Sequence, residues 1–164
     1  MSLVRHVGAD GQRERSERVW FAAMASKQTK LEHLASVPLF DGCSKKELEK
    51  IAKAGDEIVM TAGTVIVDQG QTGREAFVVL DGQVTVKRNN RKIGTLGPGA
   101  VVGELSLLDH GPRTATAVCD TECELLVIDQ RHFRAVLEQV PAMSTKLLAS
   151  LAGRIRDMDR QYYG

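Results

Sequence analysis

The chain has 164 residues, with 22 basic and 21 acidic side chains and a formal charge of +1. That length suits one domain with an extra helix or two, and the near-balanced charge excludes a strong electrostatic pull toward nucleic acid or a lipid surface. Nothing approaches the ~18 consecutive apolar residues of a spanning helix, and the first residues lack the pattern of a secretory signal, so a cytoplasmic protein with no membrane partner is expected.

Residues 1–12 are polar, glycine-containing and without periodicity, which predicts a disordered tail. From 13 to 36 the pattern turns helical: Trp20, Met24, Leu31 and Leu34 recur at spacings of four, seven and three, with Val19 and Phe21 beside them. This extension is expected to pack Trp20 against the body of the domain; the alternative is that its stripe covers a partner or a second subunit. Pro38 ends it, because proline disfavours α geometry in the residue before it. Ser44 and Glu47 then form an S-x-x-E capping box that opens a helix carrying Leu48, Ile51 and Ala52 and closing near Gly55.

Beyond Gly55 the period changes to two. Short strands are predicted at Glu57–Met60, Thr64–Asp68, Ala76–Leu80, Gln83–Lys87, Lys92–Leu96, Thr114–Cys119 and Glu124–Ile128, with turns at Asp81-Gly82 and Asn89-Asn90. Many short strands at near-even spacing favour an antiparallel barrel or jelly roll. A short helix follows over 130–140, then a second that opens on Pro141. On the last helix Leu147, Leu151, Ile155, Met158 and Tyr162 form one apolar seam. Cys119 and Cys123 are separated by three residues, not by the two of a redox or zinc pair, and the four histidines lack ligand spacing. Free thiols and no metal are expected.

The chemistry concentrates in Gly103-Glu104-Leu105-Ser106-Leu107-Leu108-Asp109-His110-Gly111-Pro112-Arg113-Thr114-Ala115-Thr116-Ala117. Gly97, Gly99 and Gly103 let the backbone approach a ligand, and amides around Leu105 and Ser106 at the start of a short helix would bind an anion. Arg113 adds a permanent charge and a planar fork for two phosphate oxygens, and Thr114 a hydroxyl beside it. An ionised Glu104 accepts only, so a hydroxyl donor such as a sugar 2′-OH suits it. An anion and a hydroxyl held close together describe a ribose phosphate; an ordinary surface ion pair between Glu104 and Arg113 is the alternative. His110 reads as a loop-tip residue.

These residues resemble the phosphate-binding cassette of cyclic nucleotide-binding domains, which runs roughly Gly-Glu-(Leu/Ile)-Ala, a spacer, then (Pro)-Arg-(Thr/Ser/Ala)-Ala-(Thr/Ser)-Val. Gly103, Glu104, Leu105, Pro112, Arg113, Thr114, Ala115 and Thr116 fit, while Ser106 and Ala117 stand where alanine and valine are usual. Val37-Pro38-Leu39-Phe40 is similar to the usual start of that fold, and the resemblance covers about residues 37–160. It implies an α+β protein: an antiparallel β-roll flanked by N-terminal helices and C-terminal hinge and lid helices, with a tail over 1–12, a helical extension over 13–36 and the domain over 37–164.

The resemblance further implies that Glu104 binds the ribose 2′-hydroxyl and Arg113 the cyclic phosphate, with Gly103, Leu105, Ser106, Thr114 and Ala115 completing the ligand site. The last helix would cover the nucleotide, Ile155 and Met158 touching the base and Tyr162 or Tyr163 capping it. Helices at this position also pair across a two-fold axis in bacterial members, so the seam reads equally as lid, dimer interface or core. The expected ligand is cAMP, with cGMP close behind, because a threonine after the arginine can bond the guanine amino group yet also occurs in cAMP-binding bacterial members. No cofactor and no catalysis are expected, since no metal set and no nucleophile beside a base are present. Partners would be the nucleotide and, through the terminal helices, a second copy or an effector, with no nucleic acid bound by this chain. The competing readings are a scaffold that keeps the fold without the ligand, and a fragment of a cAMP-responsive transcription regulator or other larger effector.

Overall fold

A computed structural model describes residues 9–163. The helical extension is one long helix, α1 (Ala9–Ser36); a single 3-10 turn over Pro38–Phe40 redirects the chain into α2 (Lys45–Ala54). Ser44 caps α2 as its residue type demands. Its hydroxyl accepts from the Glu47 amide at 3.2 Å, and the Glu47 carboxylate accepts from the Ser44 amide at 2.7 Å.

Eight strands follow: β1 (Gly55–Met60), β2 (Val65–Val67), β3 (Glu75–Asp81), β4 (Val84–Arg88), β5 (Arg91–Leu96), β6 (Val101–Val102), β7 (Thr116–Cys119) and β8 (Cys123–Asp129). They form two four-stranded antiparallel sheets ordered β1-β8-β3-β6 and β2-β7-β4-β5, the crossing connectivity of a jelly roll. Asn89 and Asn90 take φ of 50° and 61° at the β4–β5 turn, the left-handed pair that a tight hairpin needs. Between β6 and β7 lies the short α3 (Glu104–Asp109), and after β8 come α4 (Gln130–Gln139) and α5 (Pro141–Tyr163).

Strand β3 is buried on both faces, and its alternation divides the core. Phe77 and Val79 join Val84, Ala117 and Leu125 between the two sheets; Ala76, Val78 and Leu80 join Ile51, Phe133 and Met143 under the helices. Cys119 and Cys123 are buried free thiols in the inter-sheet core, and burial, followed by a hydrogen bond with Cys123, pushes the Cys119 thiol up to about 11. The N-terminal half of α5 is tied down by Leu147, which is buried, and by Lys146 Nζ, which donates to the Pro38 carbonyl at 3.0 Å. No described helix is long and apolar enough to cross a membrane.

Two expectations need correction, and one strand was missed. Trp20 does not pack against the body: it is 62% exposed, because α1 meets the core only through Leu31 and Leu34 at its C-terminal end. Helix α1 also begins at Ala9, inside the stretch expected as a disordered tail; residues 1–8 lie outside the described residues. Strand β6 was not anticipated, since two valines between glycine-rich turns are too short to show a period.

Candidate functional site

Strand β6 delivers the chain to Gly103, whose φ of 84° turns it into α3. Glu104 is thereby the first helical residue and is only 2% exposed. At the far end of α3, His110 takes φ of 60° and meets Gln130 Nε2 through Nδ1 at 2.9 Å, so it shapes the loop and does not enter the site. The return segment is pinned by backbone: the Arg113 amide donates to Gln71 O at 2.9 Å and the Gly70 amide donates to Arg113 O at 2.8 Å.

The Arg113 side chain then lies across two glycines. A Cβ on Gly73 or on Gly103 would overlap its guanidinium, so both positions exist to admit it. Its Nη1 donates to Gly103 O at 2.9 Å and its Nη2 to Glu75 O at 2.8 Å. Burial pulls the guanidinium below its ordinary value while Glu75 and Glu104 pull it back, and it stays a cation at working pH.

Glu104 does not pair with Arg113. Its Oε1 accepts from Nη1 of Arg154, on α5, at 2.6 Å, an ion pair that crosses from the roll to the last helix. The simple Glu104–Arg113 surface pair is therefore replaced by two buried charges with separate partners.

Both charges line one cavity of about 460 Å³. Its floor is the segment from Gly103 to Ser106 with Arg113, Thr114 and Ala115, its walls are apolar (Val86, Ile93, Leu96, Val101), and Leu151, Ile155 and Met158 close it from α5. The seven cassette residues expected at the site thus come together, and so do Ile155 and Met158. Tyr162 does not: it is 80% exposed and is not among the lining residues, and Tyr163 projects likewise. The seam on α5 divides along its length, with Leu147 in the core, Leu151 to Met158 on the cavity and Tyr162 in solvent.

Two arginines were missed. Arg154 continues Leu147 and Leu151 at spacings of four and three, a pattern that places it on the seam had charge not disqualified it from an apolar reading. Arg88 lines the cavity from the end of β4 and donates from Nε to Thr114 O at 3.2 Å. No group of three metal-ligating side chains comes together among the described residues.

Comparison with known proteins bears on this arrangement. The family profile described as cyclic nucleotide-binding domain matches residues 57–140, which run from within β1 through α4 and include the whole cassette. The chain belongs to the cyclic nucleotide-binding domain family. A cyclic AMP receptor protein of Thermus thermophilus is 33% identical over 127 residues, covering 74% of this chain and 59% of the relative. A cAMP-dependent protein kinase regulatory subunit of Eremothecium gossypii is 33% identical over 99 residues, 60% of this chain and 22% of that protein. The crystal structure of the Thermus thermophilus catabolite activator protein superposes with a TM-score of 0.69 at 32% identity, over 76% of this chain and 61% of that one. The chain thus spans less than two thirds of these relatives, 59% of the first and 22% of the second.

Proposed function

We infer that this domain binds a cyclic nucleotide monophosphate, cAMP in preference to cGMP, as a non-catalytic sensor whose C-terminal helix responds to the ligand. The observation that carries this reading is the pair of buried charges, Arg113 and Glu104, set apart on one face of an apolar cavity under α5. A guanidinium has five N–H donors, and the carbonyls of Gly103 and Glu75 take two, so three remain for phosphate oxygens. The amides of Leu105 and Ser106 lie in the first turn of α3, where backbone N–H groups have no intrahelical acceptor, and they add donors for the same anion.

Glu104 uses Oε1 for Arg154, leaving Oε2 without a protein donor among the described residues, free to accept from a ribose 2′-hydroxyl. The apolar walls and the Ile155 and Met158 side chains suit the flat face of a purine. Because Arg154 and these two side chains ride on α5, a nucleotide that fills the cavity favours one α5 position over others. It shifts the balance only by the difference in its affinity for the two positions. The preference for cAMP is supported by the names of the relatives at 33% identity, a cyclic AMP receptor and a cAMP-dependent kinase subunit.

Arg113→Ala deletes a charge-assisted phosphate contact of about 2–4 kcal/mol, so affinity for cAMP should fall roughly 30- to 1000-fold while a folded circular dichroism spectrum is retained. Unchanged affinity in a folded Arg113→Ala variant would overturn the assignment of the phosphate site.

A further inference from the structure

Helix α1 leaves the body of the domain long before its N-terminus. Leu31 and Leu34 are buried, whereas every residue from Arg13 to Ala25 is exposed, including Trp20 and Phe21, whose rings meet edge to face. These two lie in an unbroken apolar run from Val19 to Ala25 that nothing in the chain covers among the described residues. Isolated exposed apolar residues are ordinary; a run bearing the chain's single tryptophan marks a contact.

The charges beside this run say what fits it. At about 100° per residue, Glu17, Trp20, Met24 and Lys27 fall within one stripe roughly 80° wide, and Arg15 and Arg18 fall on the opposite side. Along that stripe the order is acid, apolar, apolar, base, preceded one turn earlier by Arg13, whose Nε meets Glu17 Oε1 at 3.6 Å in an exposed ion pair. Such a stripe complements itself only when reversed. With a two-fold axis at the level of Ala22, Trp20 meets Met24 of the other helix and Glu17 meets Lys27, each pairing occurring twice by symmetry. A parallel pair would instead set Glu17 against Glu17 and Lys27 against Lys27.

A lipid surface is the poorer fit. In-plane membrane helices keep apolar and charged residues on opposite faces, but here Glu17 and Lys27 lie on the stripe with Trp20 and Met24, and Val19 and Phe21 flank it on either side. We propose that α1 is a self-association surface on which two copies of this chain pair antiparallel through Trp20, Met24, Glu17 and Lys27. One helix face supplies less than the ~800 Å² per partner of a standard stable interface, so the dimer is a weak one, with Kd on the order of tens to hundreds of micromolar. The pairing does not depend on the nucleotide reading.

Sedimentation equilibrium of the full chain, from about 1 μM to 1 mM, with Trp20 emission followed over the same range, tests the proposal. It predicts a monomer–dimer equilibrium accompanied by a blue shift of Trp20, which is the only tryptophan. Glu17→Lys and Lys27→Glu should each weaken the dimer by about tenfold, and the double swap should restore it. A monomer at all concentrations, or a dimer indifferent to both single reversals, overturns the proposal. So does a Trp20 blue shift that appears only with phosphatidylglycerol vesicles.

Discussion

Arg113 and Glu104 each carry a charge into the protein, and no hydrogen bond joins them. A buried charge without compensation costs several kcal/mol, so each is matched: Arg113 by two carbonyls and by the nearby Glu75 and Glu104 carboxylates, Glu104 by Arg154. The matching leaves N–H donors on one group and an acceptor on the other, both lining the same cavity, and the proposed reading sets a phosphate beside a hydroxyl there. Thr114 is the residue expected to bias the base. Its carbonyl is held by Arg88, which fixes the backbone and leaves the hydroxyl available. Thr114→Ala should therefore weaken cGMP about tenfold more than cAMP, as one neutral hydrogen bond allows; equal losses in parallel titrations of the two nucleotides would remove Thr114 as a selector.

On the proposed reading, the last helix carries the response. The Arg154–Glu104 bond at 2.6 Å fastens α5 to the cassette, and the α5 residues beyond it contribute no buried side chain. Arg154→Ala should raise amide hydrogen exchange over residues 150–163. It should also lower cAMP affinity by about tenfold, because Glu104 loses the donor that orients it. Exchange that stays at the wild-type level would show that other contacts hold α5. The helix before it has a simpler dependence. Asp129 caps α4 by accepting from the His132 amide and meets the ring Nδ1 at 2.7 Å, and these bonds hold its carboxyl below its ordinary value of 3.8. A carboxyl that is more acidic when folded contributes stability at pH values above its unfolded value, and that contribution is lost as pH falls through the folded one. Asp129→Ala should lower stability by about 1 kcal/mol at pH 7, with the gap narrowing toward pH 3. Thermal melts at the two pH values that show an equal gap would contradict the cap's ionic character.

For the molecule as a whole, local rules wrote much of the plan into the sequence. Ser44 and Glu47 placed α2, the asparagine and glycine turns placed seven of the eight strands within a residue or two, and the Gly-Glu and Pro-Arg positions marked the site floor. What was illegible depends on distant parts of the chain. Apolar spacing on α1 did not reveal that, of its apolar residues, Leu31 and Leu34 are the ones buried in the core, because periodicity names a face without saying what lies opposite it. Arg154 and Arg88 went unseen for the same reason, since each joins the site only after the roll closes and α5 packs back. The seam on α5 ends at the cavity edge, leaving Tyr162 in solvent, a boundary that spacing alone does not carry. The central claim, that the cavity between the roll and α5 is a cyclic nucleotide site, is tested most directly by calorimetric titration of ligand-free protein with cAMP and then cGMP. The account predicts saturable one-to-one binding, in the micromolar range or tighter, with cAMP the stronger. Folded protein that releases no heat with either nucleotide and shows no competition between them would contradict it.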